Sequence, residues 1–542
     1  MHRSTLAKRG WLLLLLVVAT GYGYGLGRAP LVGADEPRYA EVAREMFVRD
    51  DPVTPTLGGH TWFEKPALPY WAAIASYRLF GVSEQSARLG ALCAGLLTLL
   101  LLGVLAGEVE GRADESLRGF RLVTTAAAAT TAGLLVFARA FNFDIFITLA
   151  TTGALVCFLL AELTEDRRAC VLLLADFYGC MGTGLLSKGL LGVVLPAGVV
   201  ALYCLLRRQR PNFLTTLLWG LPLMCVIAGV WYAPVIARHG RTFVDEFFIQ
   251  HHFARYVSNK YHHPQPFYFY LPVLALMALP WTAFLAAALA GARSWRWRDD
   301  APTDRLRVFA LAWVVLPVAF FSLSGSKLPG YILPALPGAA LLAGERLTHY
   351  LNGAGGLRAM RATGVLLLLF AAGLVGYELR TSLVSLPCAL LVATPPTLAG
   401  LCAVLRPQAR RLCAWGTVAA ALAVVVIIST CAVVPATRRE SVRDLLRSAD
   451  ARGYASAPVY GMHTIDRTAE FYAAGRLAYD AKGEPVMFDG VSHVLGEARA
   501  HNAPVLVIVP IEYVSQLTSF PWLTCDVIGD NGRVALVAAR AR

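Results

Sequence analysis

Between Asp35 and Pro66 the chain carries seven acids, Asp35, Glu36, Glu41, Glu45, Asp50, Asp51 and Glu64, with Lys65 beside the last of them. Only 16% of the 542 residues are charged, so this density next to an apolar segment is costly unless the groups are solvated, paired or used. Other ionisable residues stand at the ends of apolar runs. Asp144 follows Arg139 and Asn142, and Lys188 sits in Ser187-Lys188-Gly189. His251, His252, Arg255, Lys260, His262 and His263 fall between 238 and 266, and Lys327 and Tyr331 in Ser326-Lys327-Leu328-Pro329-Gly330-Tyr331. Two carboxylates, Asp35 and Asp144, are the equipment of acid–base chemistry. Three ammonium groups on separate loops, Lys65, Lys188 and Lys327, suit a phosphate. His251 and His252 are adjacent, so their side chains diverge, and their spacing to His262 and His263 is not that of a metal-ligand motif.

Each of these residues also has a plainer reading. Asp35 precedes Pro37 as a helix N-cap would, and Asp144 opens an apolar run in the same way. Glu64 and Lys65 read equally as a local ion pair of little worth. Lys188 reads as a snorkelling lysine, and Lys327 with Tyr331 as an interfacial anchor. Glu41 and Arg44 read as the solvated face of a helix whose apolar stripe is Tyr39, Val42, Ala43, Met46 and Phe47. That helix is expected on the membrane surface or on the bundle.

The elements that carry these residues are membrane-like. The chain is 56% hydrophobic and divides into thirteen apolar segments: 11–27, 85–107, 122–138, 144–161, 169–187, 189–206, 213–237, 267–291, 308–323, 331–345, 362–379, 383–405 and 412–434. A span needs about 20 residues. With Arg3, Lys8 and Arg9 inside, every inner loop holds at least two arginines, so most of the +13 net charge is topological. All the residues singled out above then face the outside, on five loops. No basic patch with interleaved aromatics suggests nucleic acid. The first segment reads as an uncleaved anchor. Ten of the eleven cysteines, all but Cys525, lie in apolar segments and read as small buried hydrophobes rather than a disulfide frame. From Pro435 the pattern becomes a small α/β domain, with strands expected at Val459–His463, Leu477–Tyr479, Val505–Pro510 and Val534–Ala538, and helices at Arg467–Ala474, Val491–His501 and Glu512–Ser519. It has neither a Gly-rich phosphate loop nor a nucleophile elbow, so it reads as accessory. The fold expected is a polytopic α-helical membrane protein. Residues 1–434 form its membrane part, with outer helices in 28–84 and a large outer loop at 238–266, and 435–542 form the second domain.

The motifs Asp35-Glu36-Pro37-Arg38-Tyr39-Ala40-Glu41, Phe63-Glu64-Lys65-Pro66, Asp144, Ser187-Lys188-Gly189, the His-containing loop and Ser326-Lys327-Leu328-Pro329-Gly330-Tyr331-Ile332-Leu333-Pro334 come in an order that resembles the GT-C-fold polyprenol-phosphate-sugar glycosyltransferases. Within them it is most similar to the bacterial lipid A 4-amino-4-deoxy-L-arabinose transferases; the protein O-mannosyltransferases are more distant. Glu470-Phe471-Tyr472-Ala473-Ala474-Gly475-Arg476 resembles the C-terminal domain of the same family more loosely. The resemblance implies a GT-C fold of about thirteen transmembrane helices with a periplasmic C-terminal domain, in the bacterial inner membrane. It implies Asp35 and Asp144 as the essential acids, and Lys65, Lys188 and Tyr331, with Lys327 beside them, around the donor phosphate. Glu64 and His252 match a zinc-like metal pair that the reaction does not require. The expected partners are an undecaprenyl-phosphate-linked sugar, lipid A or another periplasmic acceptor, and membrane lipid, with the protein a monomer. Gly330 and His251 depart from the usual pattern. Rival expectations are a protein or glycan O-glycosyltransferase of the same fold, and a lipid transporter, which would show pseudo-symmetric halves that this chain lacks.

Overall fold

The computed structural model describes residues 2–209, 215–247, 250 and 265–542, with backbone alone for 2–8. Its residues group into two units. The first comprises Met1–Tyr24, Phe63–Pro69 and Arg88–Thr430, and the second Gly25–Trp62, Tyr70–Ala87 and Cys431–Arg542.

The described apolar runs of the first unit are mostly helical, because only intrachain hydrogen bonds can satisfy a backbone in hydrocarbon. Among the described residues, eight helices are long and apolar enough to cross a membrane, and Arg9–Gly23 and Leu191–Arg207 are shorter apolar helices. The apolar run 169–206 is two helices, Arg167–Lys188 and Leu191–Arg207, separated at Gly189, whose φ of +66° a side chain would resist. Two other runs are broken within themselves. Residues 122–138 form Phe120–Thr130 and Ala132–Phe137, and residues 267–291 form Tyr270–Met277 and Thr282–Ala290. The two breaks meet each other: Ala132 N donates to Leu279 O at 2.8 Å, and Trp281 Nε1 to Thr130 Oγ1 at 2.8 Å. Several of the arginines on loops assigned inside cap helix ends. Arg112 donates to Leu163 O, and Arg305 to Glu162 O at 2.8 Å.

The second unit is built on a five-stranded sheet of order β4-β3-β5-β7-β6, with β3 Val459–Met462, β4 Met487–Phe488, β5 Val505–Pro510, β6 Leu523–Asp530 and β7 Val534–Ala541. Strand β3 pairs in parallel with β4 and β5, while β7 runs antiparallel to β5 and β6. Alternate residues of β5 enter two cores. Leu506 and Ile508 pack with Leu445, Leu446 and Ala469, and Val505, Val507 and Val509 with Val494 and Ala498 of the Val491–His501 helix. Burial on both faces explains the unbroken apolar run of β5. The structure departs from expectation at Leu477–Tyr479, which makes only isolated bridges, and adds β4 and β6.

The acidic helix Asp35–Val48 belongs to this second unit, as does the hairpin of β1 Thr56–Leu57 and β2 His60–Thr61. The sequence grouped 28–84 with the membrane part; here 25–62 and 70–87 gather with the C-terminal segment instead. The reason is the helix's apolar stripe. Tyr39, Val42, Ala43 and Met46 are buried, Phe47 meets the Tyr77 ring edge-on at 6.1 Å, and Tyr77 Oη donates to Ala40 O at 3.2 Å. Arg44 Nη1 reaches Phe471 O at 3.3 Å, and Tyr472 Oη accepts from Leu31 N at 2.7 Å. The cysteine reading is also corrected: Cys388 and Cys431 are disulfide-bonded and the other nine are free.

Candidate active site

Three helix ends of the first unit bring Asp144, Lys188 and Tyr331 together. Asp144 opens the Asp144–Leu163 helix, but it does not cap it. Asn142 Oδ1 accepts from Ile145 N at 2.9 Å, while its amide donates to Phe137 O and Ala140 O, both at 2.7 Å. Asn142 thus does the work of an N-cap, and the Asp144 carboxylate is left for another partner. That partner is Lys188, the last residue of the Arg167–Lys188 helix, whose ammonium donates to Asp144 Oδ1. The side chains are 18% and 14% exposed, so the pair is largely withdrawn from water without being sealed. Lys188 Nζ also lies 4.7 Å from the centre of the Tyr331 ring, a cation–π contact. Tyr331 stands in the 3₁₀ turn Pro329–Ala335 and packs on Phe321 at 5.4 Å.

Gly330 makes this approach possible. A Cβ there would lie 2.5 Å from Asp144 Oδ2 and 2.8 Å from Phe137 Cε1. Tyr270, which sequence reasoning missed, fixes the same loop by donating to Leu328 O at 3.1 Å. Its only signal is the aromatic run Phe267–Tyr270. Lys327 turns inward: its ammonium donates to Ser324 O at 2.6 Å and the residue is 7% exposed. This geometry favours Lys327 as a brace of its own loop over a ligand-binding cation. Arg139 is likewise committed, donating to Gly21 O at 3.2 Å, to Tyr22 O, to Tyr24 O at 3.0 Å and to Ser429 Oγ at 2.9 Å.

Glu64 and Lys65 form an ion pair of 2.6 Å with side chains 14% and 12% exposed. Phe63 before them is pinned edge-on by His239 and Phe243, with ring centres at 5.0 and 5.2 Å. Among the described residues no three His, Cys, Asp or Glu side chains gather as metal ligands. One Glu64 oxygen is already engaged by an ammonium, so the described residues do not by themselves make a metal site. His252, the other half of the expected pair, lies outside the described residues, as does His251.

In the second unit Asp35 occupies the first turn of its helix and is exposed. Its side chain makes no cap bond and has no hydrogen bond or ion pair to any described residue. The capping reading of Asp35 therefore does not hold. Neither does the solvated reading of Glu41 and Arg44. Glu41 is 2% exposed and paired with Arg44 at 2.5 Å. Burial lifts its carboxyl to about 8, against the pull of Arg44. Glu45, to which sequence reasoning gave no role, shapes the hairpin. It accepts from Thr56 Oγ1 at 2.5 Å, Gly58 N at 2.6 Å and Gly59 N at 3.2 Å. That hairpin leads along the chain into Phe63-Glu64-Lys65.

Comparison with known proteins adds to this geometry. The family described as dolichyl-phosphate-mannose-protein mannosyltransferase matches residues 9–243, a range that holds Asp35, Glu64, Lys65, Asp144 and Lys188. An undecaprenyl phosphate-alpha-4-amino-4-deoxy-L-arabinose arabinosyl transferase of Pseudomonas paraeruginosa is 32% identical over 377 residues, which is 69% of this chain and 66% of that protein. Its namesake in Pseudomonas aeruginosa is 33% identical over 382 residues, with the same coverages. The match thus spans 66% of the length of these relatives, just under two thirds. The crystal structure of ArnT from Cupriavidus metallidurans bound to undecaprenyl phosphate superposes with a TM-score of 0.78 at 25% identity, covering 98% of both chains.

Proposed function

We propose that the chain is one of the GT-C-fold glycosyltransferases that take a sugar from a polyprenyl phosphate, and that it moves 4-amino-4-deoxy-L-arabinose, or another amino sugar, from undecaprenyl phosphate to a phosphate of lipid A. The observation that carries the reading is the Asp144–Lys188–Tyr331 cluster, a cation held ready between a carboxylate and an aromatic face. The donor phosphodiester carries one negative charge. When the bond from its oxygen to the anomeric carbon breaks, the departing polyprenyl phosphate gains a second. Lys188 then binds the transition state more strongly than the ground state, which is the condition for acceleration. Lys65 assists in the same way, and Asp144 keeps Lys188 in place until the phosphate shares it. The acceptor oxygen forms the new bond to the anomeric carbon. A lipid A phosphate is ionised at neutral pH and needs no base, so Asp35 and Asp144 orient the sugar and its amine. Were the acceptor a hydroxyl, Asp35 would take its proton.

We read the thirteen apolar segments of the sequence as spans, with the C-terminal domain and this chemistry on the periplasmic face of the inner membrane. Arginines on alternate loops support this. So do the disulfide-bonded Cys388 and Cys431, each at a helix end assigned outside, since disulfides persist in oxidising compartments such as the periplasm. We take the protein to act as a monomer. Glu64 and His252 are proposed as a metal pair on which no step depends.

The mannosyltransferase match favours one alternative, O-glycosylation of a protein hydroxyl. Purified protein given an undecaprenyl-phosphate-linked aminoarabinose should glycosylate lipid A and not peptide, at a rate that a metal chelator leaves unchanged. Transfer to peptide alone selects the alternative. Movement of intact donor between leaflets without loss of its sugar selects a transporter.

A further inference from the structure

Glu470 opens the second unit's Glu470-Phe471-Tyr472 motif and has no place in the reaction above. Its side chain is fully buried, at 0% exposure. Oε1 accepts from Arg467 Nη1 at 2.9 Å, and Oε2 faces Arg38 Nε at 3.5 Å. Burial pushes the Glu470 carboxyl up, while Arg38 and Arg467 pull it back. Arg38 is caught from a second side, its guanidinium lying 5.1 Å from the centre of the Trp62 ring. Arg38 is in an unfavourable place for a cation, in the first turns of the Asp35–Val48 helix at the positive end of its dipole. It also stands three residues after Asp35, on the same face of the helix, where opposite charges pair. Yet Asp35 makes no ion pair with it or with any other described residue.

We propose that Glu470 is a positioning residue: with Trp62 it holds Arg38 away from Asp35 and so keeps the Asp35 carboxylate open to substrate. This rests on Asp35 acting in the transfer. It gives the C-terminal domain a part in the reaction. A charge-assisted hydrogen bond from Arg38 would occupy Asp35 enough to cost about tenfold in rate.

The test uses the full-length protein in detergent, with size-exclusion profiles to check folding, and measures kcat and the donor KM for four variants. Glu470→Gln should lower kcat about tenfold with KM little changed. Adding Arg38→Gln to it should restore most of the rate, because the freed arginine is what blocks Asp35. Arg38→Gln alone should transfer at close to the wild-type rate, and this holds whether or not Glu470→Gln folds. The proposal is overturned if Glu470→Gln is fully active, if the double variant is no better than the single, or if Arg38→Gln is inactive. Asp35→Asn completes the set: full activity there would remove the assignment of Asp35 itself, a failure separate from that of the arginine clamp.

Discussion

Lys188→Ala is expected to cut sugar transfer by about 10²–10³-fold, the usual cost of removing one preorganised group aimed at developing charge. The loss should fall on kcat. In the proposed mechanism Lys188 meets a singly charged donor in the ground state and a doubly charged leaving group as the bond breaks, so its contribution would grow along the reaction. Its removal also leaves Asp144 without its cation. Because Asp144 is 18% exposed, water can reach it, and the stability cost stays modest. A Lys188→Ala/Asp144→Ala double variant should therefore regain stability and stay inactive. Recovery of transfer in the double variant would mean that Lys188 only neutralises Asp144 and binds no phosphate. The assay is release of polyprenyl phosphate from the lipid-linked sugar by purified protein.

Asp35→Asn is expected to abolish transfer while leaving the fold intact. Asp35 is exposed and bonded to no described residue, so the change should move stability by no more than about 0.5 kcal/mol. Asparagine keeps the shape and removes the charge. A catalytic loss of about 10²–10⁴-fold fits a general base, if the acceptor is a hydroxyl. With a lipid A phosphate as acceptor, the loss comes instead from the missing ion pair to the sugar's amine. A donor lacking the amine would then separate the two roles, because asparagine would cost little with it. Wild-type transfer by Asp35→Asn would remove Asp35 from the site.

The apolar runs made the helices of the first unit legible, because hydrocarbon leaves a backbone no alternative. Their breaks were less so. Thr131 offers no signal for the split of 122–138, whereas Pro280 does for 267–291. Asp144, Lys188 and Tyr331 each stood out by type and place. That they meet follows from Asn142 taking the cap and Gly330 lacking a Cβ, and neither is visible without coordinates. The largest misreading concerned Glu41 and Arg44. A charged helical face has the same periodicity whether it meets water or another part of the chain, and one partner of Arg44, Phe471, lies 427 residues away. Glu470 lies in a recognisable motif, but its burial beside Arg38 shows only in the structure. Strand β6 escaped notice because polar residues such as Thr524, Asp526 and Asp530 run through its sequence. The cysteines at 388 and 431 escaped because they sit at ends of different helices.

The most direct measurement is the mass spectrum of lipid A from cells that carry this gene and from cells that lack it, in a strain that makes the lipid-linked aminoarabinose. The account predicts that lipid A gains the mass of one pentosamine per modified phosphate when the gene is present, and that this shift disappears with Lys188→Ala or Asp35→Asn. Identical lipid A spectra with and without the gene, in cells where the protein is made and the donor accumulates, would contradict it.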